Sequence, residues 1–337
     1  MTVVLLTGGL GYIGSHISVE MLNLSSSTPH TIIIIDNLSN STYKMVDTIK
    51  QNHTTKNDNK MIFYEADLVD DVTSIEAIFD KHKIDVVIHL AGLKAVGDSI
   101  RAPIMYYQNN IVSTINLLNV MKTYNCKNLI FCSSATVYGN ASVAPYNETM
   151  PVGVGITNPY GKTKYMQEEI LRDLYLSDTT WNIILLRYFN PISQKNNSLR
   201  ESPNGIPCNI FPYIVKVHNG ELKQLQIFGN DYNTPDGTCV RDFIHVVDIA
   251  LAHVKACSFV VGVVAFECVK TYNIGTGIGV TVKQLIDTFE EVNHTKLRYV
   301  YGNKREGDLD ISYADVSLAK KELGWVAQYG IKDMVIV

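Results

Sequence analysis

The chain is 337 residues long, 46% apolar and 18% charged, with 29 Lys and Arg against 33 Asp and Glu for a formal net charge of -4. Such a composition excludes a disordered chain and suits a globular protein with room for two domains. No run of Arg and Lys interleaved with aromatics occurs, so nucleic acid is not an expected partner.

The longest apolar runs, such as "TIIIID" and "VVGVVAF", are too short to cross a bilayer, and "MTVVLLTGG" enters glycines without a basic start or cleavage site. A cytoplasmic protein with no membrane partner is expected. The cysteines at 126, 132, 208, 239, 257 and 268 show no C-x-x-C spacing and several lie in apolar segments, which predicts reduced, buried thiols and no metal site.

From residue 2 to about 188, the runs "VVLLT", "TIIIID", "MIFYEAD", "DVVIHLAG", "NLIFCSS" and "NIILLRYF" alternate with stretches of helical periodicity. That alternation is the pattern of βαβ units. Because the runs are apolar almost throughout, they are predicted as strands of a parallel sheet covered by helices on both faces. The predicted fold class is α/β, a doubly wound parallel sheet.

"TGGLGYIGSH" follows the first run and opens the first helix, with Gly8, Gly11 and Gly14 spaced G-x-x-G-x-x-G around Tyr12 and Ile13. Missing side chains there let a pyrophosphate approach the helix N-terminus and its converging amides. The second run ends at Asp36, where a carboxylate accepts hydrogen bonds from an adenosine ribose and repels a 2'-phosphate. NAD is therefore favoured over NADP, and "NLSNST", with Asn37 and Asn40, offers no arginine to neutralise such a phosphate. Asp67, followed by Leu68, closes the third run within reach of an adenine amino group, and "LAGLKAVG" sets Lys94 at the end of the fourth, on the edge that lines the ligand crevice.

Ser134 ends the fifth run in "CSSATVYG". In "NPYGKTK", Asn158 suits an N-cap and Pro159 the first helical position, so Tyr160 and Lys164 stand one turn apart on one helical face. Taken alone, such a pair arises by chance in many helices. After residue 190, "NPISQKNNSLRESPNGIP" predicts a long irregular connection. Beyond it lies a mixed α+β region. We expect a dinucleotide domain at residues 1–189 with a returning segment near 241–276, and a smaller mixed α+β substrate domain at 190–240 and 277–337.

With "TGGLGYIGSH", "DNLSNS", "HLAGLKAVGDS", "YYQNN", "SSATVYG", "NPYGKTK", "LRYFNP", "FGNDYNTPDGTCVRDFIHV" and "REGDLDISYAD" in order, the chain resembles UDP-galactose 4-epimerases of the extended short-chain dehydrogenase/reductase superfamily from residue 2 to about 326. The Tyr-x-x-x-Lys pair and the glycine fingerprint belong to the whole superfamily; "AGLKAVG", "SSATVYG" and "NDYNTPDGTCVRDFIHV" are particular to the epimerases. The resemblance implies a Rossmann-type sheet, bound NAD, a UDP-sugar substrate and a homodimer built through helices after about Ile100 and Pro159. It makes Tyr160 the acid/base, Lys164 the residue that holds the nicotinamide ribose, Ser134 the partner of the sugar 4-hydroxyl, and Asn110 a neighbour of the nicotinamide. A lysine ammonium one turn away, with a cationic nicotinamide, is expected to lower the pKa of the Tyr160 phenol. The implied reaction oxidises the sugar at its 4-position, turns the keto-sugar over, and returns hydride to the other face. Asn190, Asn209, Arg241, Arg305 and Asp308 are the implied UDP contacts; two arginines suit a diphosphate and an aspartate suits ribose hydroxyls.

The chain departs from the family in three places. Ser312 stands where a residue walls the hexose pocket, and a small wall predicts space for an N-acetyl group at the sugar 2-position. "FNP" continues with "ISQKNNSLRES" in place of a hydrophobic residue and Gly-Ala, and the chain stops at "GIKDMVIV" where relatives continue through a terminal helix. A 4,6-dehydratase reading is disfavoured because Thr136-Val137-Tyr138 lacks the Asp-Glu that eliminates water. A non-enzymatic NAD-binding protein would need a lost tyrosine or lysine, and both are present.

Overall fold

A computed structural model describes residues 2–25, 29–55, 57–141, 143–195, 198–199, 201, 207, 209–305 and 307–337. Its strands are β1 (Thr2–Thr7), β2 (His30–Asp36), β3 (Lys60–Glu65), β4 (Val86–His89), β5 (Asn128–Ser134), β6 (Asn182–Tyr188), β7 (Asn190–Ile192), β8 (Leu225–Phe228), β9 (Val240–Arg241), β10 (Phe243–His245), β11 (Lys270–Ile274), β12 (Val280–Thr281), β13 (Tyr299–Gly302) and β14 (Ile311–Ser312). The α-helices are α1 (Tyr12–Leu22), α2 (Lys44–Gln51), α3 (Val72–Lys81), α4 (Val96–Arg101), α5 (Pro103–Tyr107), α6 (Ser113–Thr123), α7 (Pro159–Ser177), α8 (Ile210–His218), α9 (Val246–Val261), α10 (Val282–Val292), α11 (Ser317–Leu323) and α12 (Ile331–Met334), with a π-helical turn at Gln108–Val112 and a 3-10 turn at Ala135–Tyr138.

Seven strands form one parallel sheet in the order β11-β6-β5-β4-β1-β2-β3, a Rossmann-type α/β arrangement. All six apolar runs of the first half become strands. The seventh, β11, comes from "KTYNI", whose polar start hides it from a search for apolar runs. The β3 strand differs from its neighbours: it is only half-buried, because an edge strand has no sheet beyond it.

The chain leaves β1 toward β2 and β3, then returns to lay β4 on the other side of β1. That reversal opens a crevice at the carboxyl ends of β1 and β4. One face of the sheet packs Ile32 and Ile34 against α1 and α9; the other packs Ile33, Ile35 and Phe131 against α3, α6 and α7. Each such isoleucine contributes about 1.5–3 kcal/mol by burial, which makes the sheet a rigid platform for groups at its edge.

A separate core of Phe211, Ile214, Leu225, Ile227, Leu285, Ile286 and Phe289 forms beyond the connection, and Met334 and Val335 of the last segment are buried in it. The connection itself starts with β7 paired in parallel to β10. Ser193 then takes φ +76°, where the family pattern has glycine. That left-handed backbone costs about 1–2 kcal/mol in a residue with a Cβ, and it is held by the Tyr12 hydroxyl donating to the Ser193 carbonyl at 2.5 Å and by a 2.9 Å bond between Ser193 Oγ and His245 Nε2. Much of the following stretch lies outside the described residues.

Cys126, Cys132, Cys239 and Cys257 are free and buried as expected, but Cys268 is exposed in the loop leading to β11, and Cys208 lies outside the described residues. Among the described residues no helix is long and apolar enough to cross a membrane.

Candidate active site at the sheet switch point

The glycine turn has the form a dinucleotide needs. Gly8 takes φ +67°, and a Cβ at Gly14 would come within 2.6 Å of the Gly8 carbonyl, so the turn closes against the start of α1 only without a side chain there. Gly11 is the N-cap of α1 and brings no side-chain cap, which leaves the first-turn amides open to an anion. Ile13 packs into the core beneath them.

Asp36 ends β2 beside this turn, buried, with Oδ2 accepting from the Leu10 amide at 3.0 Å and Oδ1 from the Leu38 amide at 3.0 Å and the Ser41 hydroxyl at 2.8 Å. Its carboxylate is thus tied to the glycine turn it serves. Asn37 donates to Asp67 Oδ2 at 2.7 Å, joining the ends of β2 and β3. Burial raises the Asp67 carboxyl, but that bond and the amides of Val69 and Asp70 outweigh it and hold the group below the usual carboxylate range. Leu68 is buried beside it, whereas Asn40 is exposed. These groups suit the adenosine half of a dinucleotide.

Asn158 caps α7 by accepting from the Gly161 amide at 2.8 Å, and Pro159 takes the first helical position, so Tyr160 enters the site at a fixed point of the first turn. Burial pushes its phenol up to about 12; a hydrogen bond with the Ser134 side chain works against that rise, and the Cys132 thiol adds to it. Ser134 and Tyr160 are therefore brought together. Lys164 is not drawn to the phenol. Its ammonium donates to the Cys132 carbonyl at 2.8 Å and lies 4.7 Å from the centre of the Phe131 ring, and burial lowers its pKa to about 8 against the pull of Cys132 and Glu168. The expected depression of the phenol pKa is thus not supplied by the protein's own groups, because desolvation outweighs them. An ammonium has three donors; the described residues engage one of those of Lys164, which leaves the others for a ribose diol.

Asn110 is fully buried on the π-helical turn. Its amide accepts from the Leu93 amide at 2.8 Å and donates to the Leu93 carbonyl and to Thr163 Oγ1, each at 3.0 Å, so it clamps the loop after β4 to α7. Lys94, next in that loop, pairs with Glu201 at 2.7 Å and lies 5.5 Å from the centre of the Tyr12 ring. The same Glu201 oxygen accepts from Asn209 at 2.9 Å. One carboxylate thereby joins a residue expected at the cofactor to one expected at the substrate, and sequence reasoning gave it no role.

In the second region Arg241 pairs with Asp308 at 2.8 Å and donates to the Leu309 carbonyl, while Arg305 lies over the Phe228 ring at 3.9 Å. The parallel pairing of β14 with β9 is what brings Arg241 to Asp308 from a distant part of the sequence. Asn190 is set in β7, its amide donating to the Asp242 carbonyl at 2.9 Å. Ser312 faces Arg241 across β9 and β14 and hydrogen-bonds Tyr146, which anchors the loop after β5.

Behind Ser134, the buried Arg187 grips Glu168 through bonds of 2.9 and 2.6 Å, and Ser133 donates to the same carboxylate at 2.5 Å. Glu168 repeats the four-residue step from Tyr160 to Lys164 once more along α7, a spacing that could have revealed it.

Residues 5–336 match the family model described as GDP-mannose 4,6 dehydratase. A UDP-glucose 4-epimerase of Bacillus subtilis is 46% identical over 332 residues, 98% of this chain and 94% of that protein. The structure of UDP-glucose 4-epimerase from Bifidobacterium longum in complex with NAD+ and UDP superposes with a TM-score of 0.91 at 45% identity, covering 99% of this chain and 96% of that one. A UDP-Glc/GlcNAc 4-epimerase of Campylobacter jejuni superposes with a TM-score of 0.82 at 30% identity, covering 99% and 98%.

Proposed function

We infer function from family membership: the chain belongs to the UDP-glucose 4-epimerases, a branch of the extended short-chain dehydrogenase/reductase superfamily. It is an isomerase that interconverts UDP-galactose and UDP-glucose with bound NAD. The observation that carries this reading at the level of residues is the Ser134–Tyr160 pair, set at the switch point beside a glycine turn with open helix amides. Bound NAD supplies a hydride acceptor and donor for the sugar 4-position. The first-turn amides of α1 would hold its pyrophosphate, Asp36 and Asp67 its adenosine, and Lys164 its second ribose.

In this reading Tyr160 takes the 4-hydroxyl proton and later returns it, while Ser134 passes that proton and keeps the hydroxyl in line. Asn190, Asn209, Arg241, Arg305 and Asp308 anchor UDP, which lets the hexose turn over between hydride transfers with few directional contacts of its own. The 4,6-dehydratase alternative lacks support at the Ala135–Tyr138 turn, which carries no carboxylate to eliminate water. Residues 1–189 with 241–276 would serve the cofactor and 190–240 with 277–337 the UDP-sugar.

Ser312 supports a wider substrate range that includes the N-acetylated pair, and a cytoplasmic homodimer fits the apolar face formed by Ile100, Ile104 and Met105 beside Met166 of α7, all four exposed in the single chain. Sedimentation of the purified protein as a monomer would remove the dimer. The functional reading is tested by denaturing the protein, identifying the released cofactor by its absorbance, and following UDP-galactose to UDP-glucose by chromatography without added NAD. Net NADH release with a persistent need for external NAD would indicate a dehydrogenase instead.

A further inference from the structure

His89 closes β4 and touches neither end of the reacting system, yet both ring nitrogens are engaged in a fully buried chain of hydrogen bonds. Nδ1 lies 2.8 Å from Thr7 Oγ1 and Nε2 lies 2.9 Å from Thr114 Oγ1. Thr7 is the last residue of β1, directly before Gly8, and also receives the Ala91 amide at 3.2 Å. Thr114 donates to the Asn110 carbonyl at 2.9 Å. From there the Asn110 side chain donates to Thr163 Oγ1 at 3.0 Å, and Thr163 donates to the carbonyl of Tyr160 at 2.8 Å. Gln167 braces the middle, its amide donating to Thr114 Oγ1 at 2.6 Å and to the Asn110 carbonyl at 2.9 Å.

The Thr114 bond to the Asn110 carbonyl sets the direction of the protons in this chain. Thr114 has a single proton and gives it to Asn110, so His89 must donate from Nε2 and accept at Nδ1 from Thr7. Every donor then points the same way, from the glycine turn to Tyr160. A charged imidazole would carry a second proton toward Thr7, and burial, with the Lys164 charge nearby, lowers the His89 pKa to about 3. The ring stays neutral. On the π-helical turn the Asn110 carbonyl accepts from the Ser113, Thr114 and Gln167 side chains, and such turns recur at functional sites.

We propose that His89 is a positioning residue which, with Thr7 and Thr114, holds the dinucleotide turn and the helix bearing Tyr160 in register. The consequence rests on the epimerase reading: hydride transfer depends on the distance between a ring carried by one and a phenol carried by the other, and small misplacements are costly. UDP anchoring in the second region does not pass through this chain.

The test compares His89→Leu, Thr114→Val and Thr114→Ser with wild type, measuring kcat per NAD-loaded protomer, KM for UDP-galactose, and melting temperature. His89→Leu and Thr114→Val are expected to lose about 10- to 100-fold in kcat with KM within about twofold, Thr114→Ser to retain activity, and a variant combining His89→Leu with Thr114→Val to be no worse than the more damaged single one. A kcat per loaded protomer within twofold of wild type in Thr114→Val, or equal damage in Thr114→Ser, would overturn it. If His89→Leu does not fold, the two Thr114 variants decide. Wild type inactive on UDP-galactose would sink the functional reading alone. The inference would still be read from amide hydrogen exchange, which in Thr114→Val is expected to speed up about tenfold both in the 8–14 turn and in the first turn of α7; a change at only one of them, or at neither, would reject it.

Discussion

The Lys164 ammonium donates to the carbonyl of Cys132 at 2.8 Å, so the cation one helical turn from Tyr160 is tied to β5 rather than to the phenol. It is a buried charge whose pKa is lowered by desolvation to about 8 from an ordinary 10.5. Between those values the unfolded chain binds the extra proton and the folded one does not, so this group makes stability rise as pH climbs from about 8 to 10.5. Lys164→Met is expected to lower kcat at least about 100-fold while leaving the melting temperature at pH 7 no lower than wild type. It should also flatten the alkaline rise in stability. A clear loss of melting temperature at pH 7 would mean that the ammonium stabilises the fold.

Tyr160 presents the complementary case. With burial holding its phenol near 12, the Ser134 hydroxyl is the protein group that works against the rise. Tyr160→Phe is expected to lose about 10²- to 10⁴-fold in kcat with UDP affinity unchanged. The difference in ultraviolet absorbance between wild type and this variant, followed against pH in NAD-free protein, should show no phenolate step below pH 10. A step at or below pH 9 would mean that Lys164 reaches the phenol after all.

The buried histidines predict how the fold meets acid. Burial, the largest cause in each case, holds His16, His245 and His253 at about 4 and His89 at about 3, against an ordinary 6.5. His253 shows why: Nδ1 faces the Ile249 carbonyl at 2.8 Å and Nε2 faces the Tyr188 hydroxyl at 2.7 Å, so both positions are filled by the neutral ring. Their stability is complete above pH 6.5 and is lost as pH falls toward 4, because the unfolded chain takes up protons first. Melting temperature is expected to drop steadily over that window, and His253→Gln to soften the slope. An unchanged melting temperature from pH 7 to 4.5 would contradict this.

What was legible in the sequence follows from what leaves a one-dimensional trace. Six of the seven strands of the main sheet are apolar runs, Gly8 to Gly14 is a local turn, and Tyr160 and Lys164 lie one helical turn apart, so each is written in a short window. The bond that Lys164 makes to Cys132 and the pairing of Arg241 with Asp308 are set by tertiary contact between distant segments. No window contains both partners. Arg187 and Glu168 illustrate the boundary: the four-residue helix spacing after Tyr160 and Lys164 could have revealed Glu168 but was not followed that far, whereas Arg187 inside "NIILLRYF" reads as an interruption of a strand until the sheet brings it beneath α7.

Ser312 carries the last prediction. It lies on β14 opposite Arg241, and its side chain meets Tyr146, the residue whose backbone ties the loop after β5 to this strand through the Tyr313 and Asp315 bonds. A serine at this point leaves volume that a tyrosine would fill, and a 2-acetamido group is bulkier than a hydroxyl by several heavy atoms. Purified protein is therefore expected to interconvert UDP-N-acetylglucosamine and UDP-N-acetylgalactosamine as well as the plain hexoses. Ser312→Tyr should lose the acetylated pair at least about 100-fold in kcat/KM, since overpacking a formed site costs roughly 1–3 kcal/mol or more, and keep UDP-galactose within about threefold. Equal loss on both pairs would point to damage at Arg241, its neighbour across the strands, and no turnover of acetylated sugars by wild type would show that another residue closes the pocket.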